Sequence, residues 1–384
     1  MQYNQPLELA ASSSPEALQL LAQGYKHHIV NDVQTAESLY QRAIEVDPNL
    51  ALAYSALGAA YKTGFGAALA VAPEQKAYAL RDRMTVPGRF QAETGYYDLV
   101  TGEVEKSTAA YARWLELFPR NLIARVNYAN GLFRLGRFDE SANYWRDVTR
   151  DLPSGAFHQS LMRAYMAAGR FEEAKAAYDE AEARNMDGPG LRVDRAILAF
   201  LQRDNIALAE QWEWVAKHPK SVGIMLGKAQ MFRYYGQLRA ARLLTEDTIK
   251  QMKESAPNAD FAGIYAGIAM QEAVVGNTAQ AQQGTANALA GPQLQSAQSN
   301  LALALALAGD SVQAQKVVDS INQKSPLNTL VQNYELPAIR AVLHLNAKDP
   351  AGAIEVLRPA LKYDFAFEEE GFNSLYPAYF RGLA

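Results

Sequence analysis

The sequence predicts an all-α chain, an α-solenoid of about ten stacked helix pairs. Three observations predict it. The stretches Leu135 to Trp145 (LGRFDESANYW) and Ala168 to Tyr178 (AGRFEEAKAAY) are nearly one phrase, with Gly136 and Gly169 33 residues apart. Other punctuating residues keep the same interval. Gly102, Gly136, Gly169, Gly236, Gly276 and Gly309 are separated by 34, 33, 67, 40 and 33 residues, and Pro119 and Pro153 by 34. Finally, no strand-length window alternates apolar and polar residues with the period of two that a half-buried strand requires.

Each unit begins with an amphipathic helix that stops at a glycine, because the chain must enter a left-handed turn there and glycine has no Cβ to clash. The 67-residue step is two units, with Arg203 standing where the middle glycine would be. A second helix follows and ends before a proline, whose missing N–H no longer matters beyond the helix; Pro48 and Pro326 close equivalent segments. Small residues recur in the first helices at Gly24, Gly58, Gly95, Ala129, Ala196, Ala229, Ala269, Ala302 and Ala341. In the second helices they recur at Ala36, Ser107, Ser141, Ala174, Ala241, Ala281, Ala314 and Ala353. Small side chains at both places let antiparallel helices approach at the short end of the ~8–10 Å packing range. Large residues four positions on, such as Tyr40, Tyr111, Trp145, Tyr178 and Trp212, fill the space toward the next unit.

This pattern resembles the tetratricopeptide repeat. Ala36, Tyr40, Ala43 and Pro48 match its second helix, and Tyr54, Leu57, Gly58 and Tyr61 its first. The likeness runs from Pro15 to roughly Tyr363, is strong in the first five units and weaker afterwards. Met162 and Leu208 occupy positions the family keeps small, and the 40-residue step implies a longer helix or loop between Met252 and Asp260. The resemblance implies a right-handed superhelix. The expected organisation is a tail at 1–14, the solenoid at 15–363, a loop at 364–373, and at 374–384 the first helix of an incomplete further repeat, with Gly382 at its close-contact position. That last helix would leave Leu375, Tyr379, Phe380 and Leu383 as an apolar face, implying either a chain shorter than its relatives or a homodimer through this end. A narrower resemblance, carried by YNQPLELAASSSPEALQLLAQGY, KAYALRDRM, ETGYYDLVTGEVEK, LPAIRAVLHLN and SLYPAYFRGLA in order, is to the C-terminal repeat region of bacterial serine/threonine kinases and winged-helix regulators. It implies, as the alternative function, a sensory or regulatory module following a membrane span.

Composition excludes several classes. At 49% hydrophobic and 20% charged, the chain can bury a large core. A net charge of −4 argues against a surface that coats nucleic acid, which needs clustered Lys and Arg. The absence of cysteine excludes disulfides, thiolate metal sites and a Cys nucleophile. The opening residues lack the basic start and apolar stretch of a signal peptide. No window reaches the ~18 apolar residues of a membrane helix. The compartment stays open: cytoplasmic if the chain stands alone, periplasmic if it is attached to an upstream span.

Enzyme motifs are incomplete. Gln202 to Asn205 and Asp364 to Ala366 echo only fragments of a kinase catalytic loop and metal loop. Gly223, Gly227 and Lys228 have too short a spacing for a phosphate loop and lack its hydroxyl. The five histidines, His27, His28, His158, His218 and His344, form no i, i+4 metal pair. The acidic run Glu368 to Glu370, flanked by Phe365, Phe367 and Phe372, reads as a solvated loop with aromatic anchors. The expectation is a non-enzymatic scaffold without cofactor or metal.

The aromatic series Tyr96, Tyr97, Tyr111, Trp114, Tyr128, Tyr144 and Trp145 has helical spacing, so most of it is core. In tetratricopeptide repeats the first helices line the concave groove. The resemblance transfers that surface to Tyr25, His28, Ser55, Lys62, Tyr96, Asn127, Asn130, Phe133, Arg134, Gln159 and Arg163. Asn127 and Asn130 can bond a peptide backbone, and Arg134 and Arg163 can pair with a carboxylate. The family's carboxylate clamp is incomplete, since Ala92 and Ala156 stand where it carries lysine. The expected partner is a protein or peptide segment.

Overall fold

The computed structural model describes residues 14–30, 32–64, 66–218, 224–255, 261–291, 295–367 and 375–384. Residues 1–13 of the expected tail, Gly223, the run Glu368 to Glu370, Phe372 and Ser374 lie outside the described residues. Among those described, every regular element is helical, and ten helix pairs follow one another before a single final helix.

Two compact units divide the chain. The first combines 1–135 with 298–384, and the second is 136–297. In the first unit, α1 (Pro15–Ile29) pairs with α2 (Val33–Val46), α3 (Ala51–Gly64) with α4 (Ala67–Ala79), and α5 (Val86–Gly95) with α6 (Val104–Leu117), ahead of α7 (Leu122–Arg134). The helix starts are written in side chains: Ser14, Asp32 and Asn121 accept the backbone N–H three residues on, at 3.2, 3.3 and 2.9 Å. Such caps contribute about 1 kcal/mol each by satisfying an otherwise orphaned donor. α5 does not stop at Gly95 but continues as a wider π-helical turn, Tyr96–Thr101, to Gly102. Ala17, Leu21, Ala36, Tyr40, Ala53 and Ala60 form the core of the first pairs. Gly24 allows Tyr40 its place, because a Cβ there would lie 2.4 Å from the ring.

The second unit contains α8 (Phe138–Asp151), α9 (Gly155–Ala167), α10 (Phe171–Ala183), α11 (Pro189–Gln202), α12 (Asn205–Ala216), α13 (Met225–Tyr234), α14 (Leu238–Ser255), α15 (Ala262–Val274) and α16 (Thr278–Leu289). Six glycines of the sequence clock, Gly102, Gly136, Gly169, Gly236, Gly276 and Gly309, have φ between +67° and +88°. Arg203 takes the same conformation at φ +59°. The N–H that follows it, on Asp204, bonds the Ala199 carbonyl at 2.8 Å, as the N–H of Arg170 bonds that of Tyr165 after Gly169. The 40-residue step is met in part by α14, which runs eighteen residues to Ser255.

The chain re-enters the first unit within α17 (Gln295–Leu307). There follow α18 (Ser311–Lys324), a second π-helical turn (Val331–Glu335) leading into α19 (Leu336–Asn346), and α20 (Pro350–Val356). A 3-10 turn (Pro359–Tyr363) and α21 (Tyr376–Leu383) complete the fold. This return lands on the third pair and on α7. The N–H of Thr329 donates to the Gly102 carbonyl at 3.0 Å, and a Cβ at Gly102 would lie 2.3 Å from Asn328 Nδ2. Gly102 is therefore doubly constrained, by its φ of +67° and by this close approach.

Two packing expectations change. Gly382 is not a close-contact residue, since no atom lies within 4 Å of where its Cβ would be; Pro377 and Phe380 are the residues of α21 that are buried. And the place in the second pair equivalent to Tyr40 holds a carboxylate, Glu74, not an aromatic ring.

Candidate functional site

The first unit carries nine of the eleven residues that the repeat register assigns to a binding surface, and one of the nine, Ser55, is buried at 1% exposed. Tyr25 on α1 sets its ring edge-on to Tyr40, with centroids 5.7 Å apart. Burial pushes its phenol up to about 12, against a hydrogen bond with Gln91 that pulls the other way. His28 Nε2 lies 3.2 Å from Thr63 Oγ1, and burial holds the imidazole below its ordinary pKa. Lys62 on α3 is exposed. Tyr96 stacks on Tyr78 at 4.1 Å and meets Tyr97 edge-on at 5.9 Å. On α7, Asn127 donates to the Ile123 carbonyl of its own helix at 3.0 Å, and Asn130 is exposed. Arg134 Nη1 stands 3.7 Å from Asp98. Phe133 meets Phe367 edge-on at 5.3 Å, and the N–H of Phe367 donates to the Arg134 carbonyl at 2.9 Å.

Between Lys62 and Arg134 lie two acids that no sequence motif marks, Glu74 and Asp98. Glu74 is 4% exposed and lies between two glycines: a Cβ at Gly58 would come within 2.5 Å of Oε1, and one at Gly95 within 2.3 Å of Oε2. Burial, and then the charge of Asp98, push its carboxyl up to about 8, while Lys62 pulls it down. Its Oε2 has no hydrogen-bond partner. Asp98, in the π-helical turn, accepts from the Tyr111 hydroxyl at 3.2 Å. Burial, then Asp98, raise the Tyr111 phenol far above its ordinary range. One signal was available: Glu74 occupies the register position of Tyr40, Tyr111 and Tyr178, flanked in space by two glycines of the small-residue series.

In the second unit, Gln159 and Arg163 project from α9 onto one carboxylate. Gln159 Nε2 and Arg163 Nε lie 2.9 and 2.7 Å from Asp194 Oδ2 on α11. Asp194 is 2% exposed, and burial outweighs both bonds, so its pKa stands above the usual carboxylate value. These two side chains thus serve an internal network. The histidines have local partners: His27 and His344 bond the cap aspartates Asp32 and Asp349 at 2.9 and 2.8 Å, and His158 Nδ1 lies 2.8 Å from the Ser154 carbonyl. Among the described residues, no three His, Asp or Glu side chains are grouped to hold a metal, and no helix is long and apolar enough to cross a membrane.

No family model matches the chain, and no curated protein matches it. Solved structures do. Yeast Tom70 superposes with a TM-score of 0.52 at 11% identity, covering 99% of this chain and 90% of its own. A tetratricopeptide repeat protein from Parabacteroides merdae gives 0.45 at 13% identity, over 76% of this chain and 100% of its own. A thermophilic repeat protein of the same kind from Thermus thermophilus gives 0.38 at 17%, over 47% of this chain and 98% of its own. The chain has the helix-pair fold of tetratricopeptide-repeat solenoids.

Proposed function

We propose that the chain is a non-enzymatic scaffold that binds a protein or peptide segment along the first helices of its first unit. The observation that supports this reading is the continuous row across α3, α5 and α7. Exposed Lys62 with half-buried Asp98 and Arg134 gives it charge of both signs, and half-buried Tyr96, Asn127 and Phe133 with exposed Asn130 give it aromatic and amide edges. A peptide laid across successive first helices meets amides for its main chain and rings for its apolar side chains. A surface of this kind is suited to capture and has no converging nucleophile and base.

Selection of a random twelve-residue peptide library against the full chain tests it. A selected peptide should lose tenfold or more in affinity when Asn130 and Arg134 are both replaced by alanine, about 1.4 kcal/mol. Affinity unchanged in that double variant would place the binding surface elsewhere.

A further inference from the structure

We propose that the C-terminal end of α7 is a recognition site for a short segment bearing a lysine and, five residues on, a phenylalanine. Residues Lys362–Phe367 of this chain are its resident occupant, which a partner segment of the same chemistry displaces. The inference rests on the peptide-binding reading above and names the partner's chemistry and its regulation. Phe367 makes the two contacts that define the site. Its N–H donates to the Arg134 carbonyl at 2.9 Å, and its ring stands edge-on to Phe133 at 5.3 Å. That carbonyl belongs to the last turn of α7, where acceptors lack an intrahelical donor and must find one outside the helix. Five residues earlier, Lys362 Nζ pairs with Glu105 on α6. Glu105 also takes a hydrogen bond from the buried Tyr363.

These contacts are of a kind that another segment can copy. One is to main chain, one is a ring against a ring, and the third is an ion pair with Lys362 69% and Glu105 41% exposed. An exposed pair of this kind contributes little net affinity and exchanges readily, so it sets register. The occupant can leave without unfolding its neighbours. Leu357 and Ala360 are fully buried before it, and Asp364 is gripped by both Arg381 guanidinium nitrogens, at 3.0 and 2.5 Å. Release therefore needs rotation of the Lys362 side chain and detachment of the chain after Asp364, which uncovers buried Ala366 and breaks its N–H bond to the Tyr363 carbonyl. Phe365, 66% exposed, faces away from the site and places no demand on the partner.

The test uses the full chain and a labelled nonapeptide, PALKYDFAF, read by fluorescence anisotropy. In a chain vacated by Lys362→Ala with Phe367→Ala, the peptide should bind saturably and at least tenfold more tightly than to the unaltered chain. Binding should vanish when the peptide's last phenylalanine is alanine, or when Phe133→Ala is added to the vacated chain. A vacated chain that keeps its helical circular dichroism but binds no peptide overturns the proposal. Should the vacated chain not fold, amide exchange in the unaltered chain decides. Exchange at Phe367 at least tenfold faster than at Leu357 supports a detachable occupant, and equal protection overturns it. An unaltered chain that runs as a dimer and is split by the nonapeptide would place a second copy's segment here and overturn self-occupancy. Nonapeptide binding without any library peptide sensitive to Asn130 would retain this site and retire the wider groove; the reverse result would do the opposite.

Discussion

The carboxyl group of Glu74 rests against the backbone of Gly95, so closely that a Cβ on the glycine would stand 2.3 Å from Oε2. One pair earlier, the ring of Tyr40 rests in the same manner against Gly24. A carboxylate has taken the place of an aromatic ring, and the cost appears in its titration: burial and Asp98 raise it to about 8. A raised acid is protonated more readily in the folded chain than in the unfolded one. Its effect on stability is therefore absent below the unfolded value of 4.5, grows unfavourable as pH rises, and is complete above about 8.

Stability should accordingly fall between pH 5 and pH 8 with a limiting slope of about 1.4 kcal/mol per pH unit from this group alone. Glu74→Gln keeps the shape and removes the proton, so the slope should flatten by that amount. Urea denaturation midpoints of the two chains at pH 5.5, 6.5 and 7.5 read the difference. Parallel pH profiles would show that Glu74 is ionised in its buried place.

Arg163 lies over Asp194, which is 2% exposed while the arginine side chain is 49% exposed. Removing the cation leaves a buried acid with only Gln159. Arg163→Ala should destabilise the second unit by ~1–3 kcal/mol, the usual cost of an unsatisfied buried polar group. Adding Asp194→Asn should recover part of this, because the remaining amide carries no charge to desolvate. A double-mutant cycle followed by thermal denaturation measures the coupling, and additivity of the two substitutions would contradict it.

What could be read from sequence was whatever the repeat enforces locally. The turn glycines were legible because the left-handed conformation disfavours a Cβ, and Arg203 was legible because it falls on the same clock; it adopts φ +59°. Ala36, Ala174 and Ala314 were legible as contacts because two helices cannot approach over larger side chains, and all three are fully buried. The return of Asn328, Lys362 and Phe367 to Gly102, Glu105 and Arg134 was not legible. It joins segments more than two hundred residues apart, and no periodicity records which units meet. Asp194 escaped for a related reason: the register places Gln159 and Arg163 on a groove face without saying that the next first helix offers them a carboxylate. Glu74 could have been noticed, as the one acid among Tyr40, Tyr111 and Tyr178.

Ala174 on α10 has no exposed surface and occupies the small position of the fifth pair. Ala174→Leu should cost ~1–3 kcal/mol through overpacking, because the added atoms force a backbone shift or a strained rotamer. The damage should begin in neighbouring helices, since a repeat contacts mainly the units beside it. Amide exchange should accelerate first in α9, α10 and α11. A thermal midpoint equal to that of the parent would show that the pair can open at this position.

Adjacent residues of α21 should respond in opposite ways. Phe380 is fully buried, whereas Tyr379 is 49% exposed on the same side as Leu375 and Leu383, at 52% and 55%. Spacings of four residues set these three along one outward stripe, leaving Phe380 as the inward anchor. Emptying a buried phenylalanine site costs ~3–5 kcal/mol. For a terminal helix, that cost is capped by the free energy of docking, beyond which the helix detaches and the rest of the unit stays folded. Phe380→Ala should therefore leave the main thermal transition nearly in place and raise amide exchange in Tyr376–Leu383 by ~100-fold, equivalent to about 2.8 kcal/mol of lost docking. Tyr379→Lys removes no buried contact and should change exchange by less than twofold, within the ~0.5 kcal/mol range of surface substitutions. Equal acceleration by both variants would mean that α21 docks through the Leu375–Tyr379–Leu383 stripe and not through Phe380.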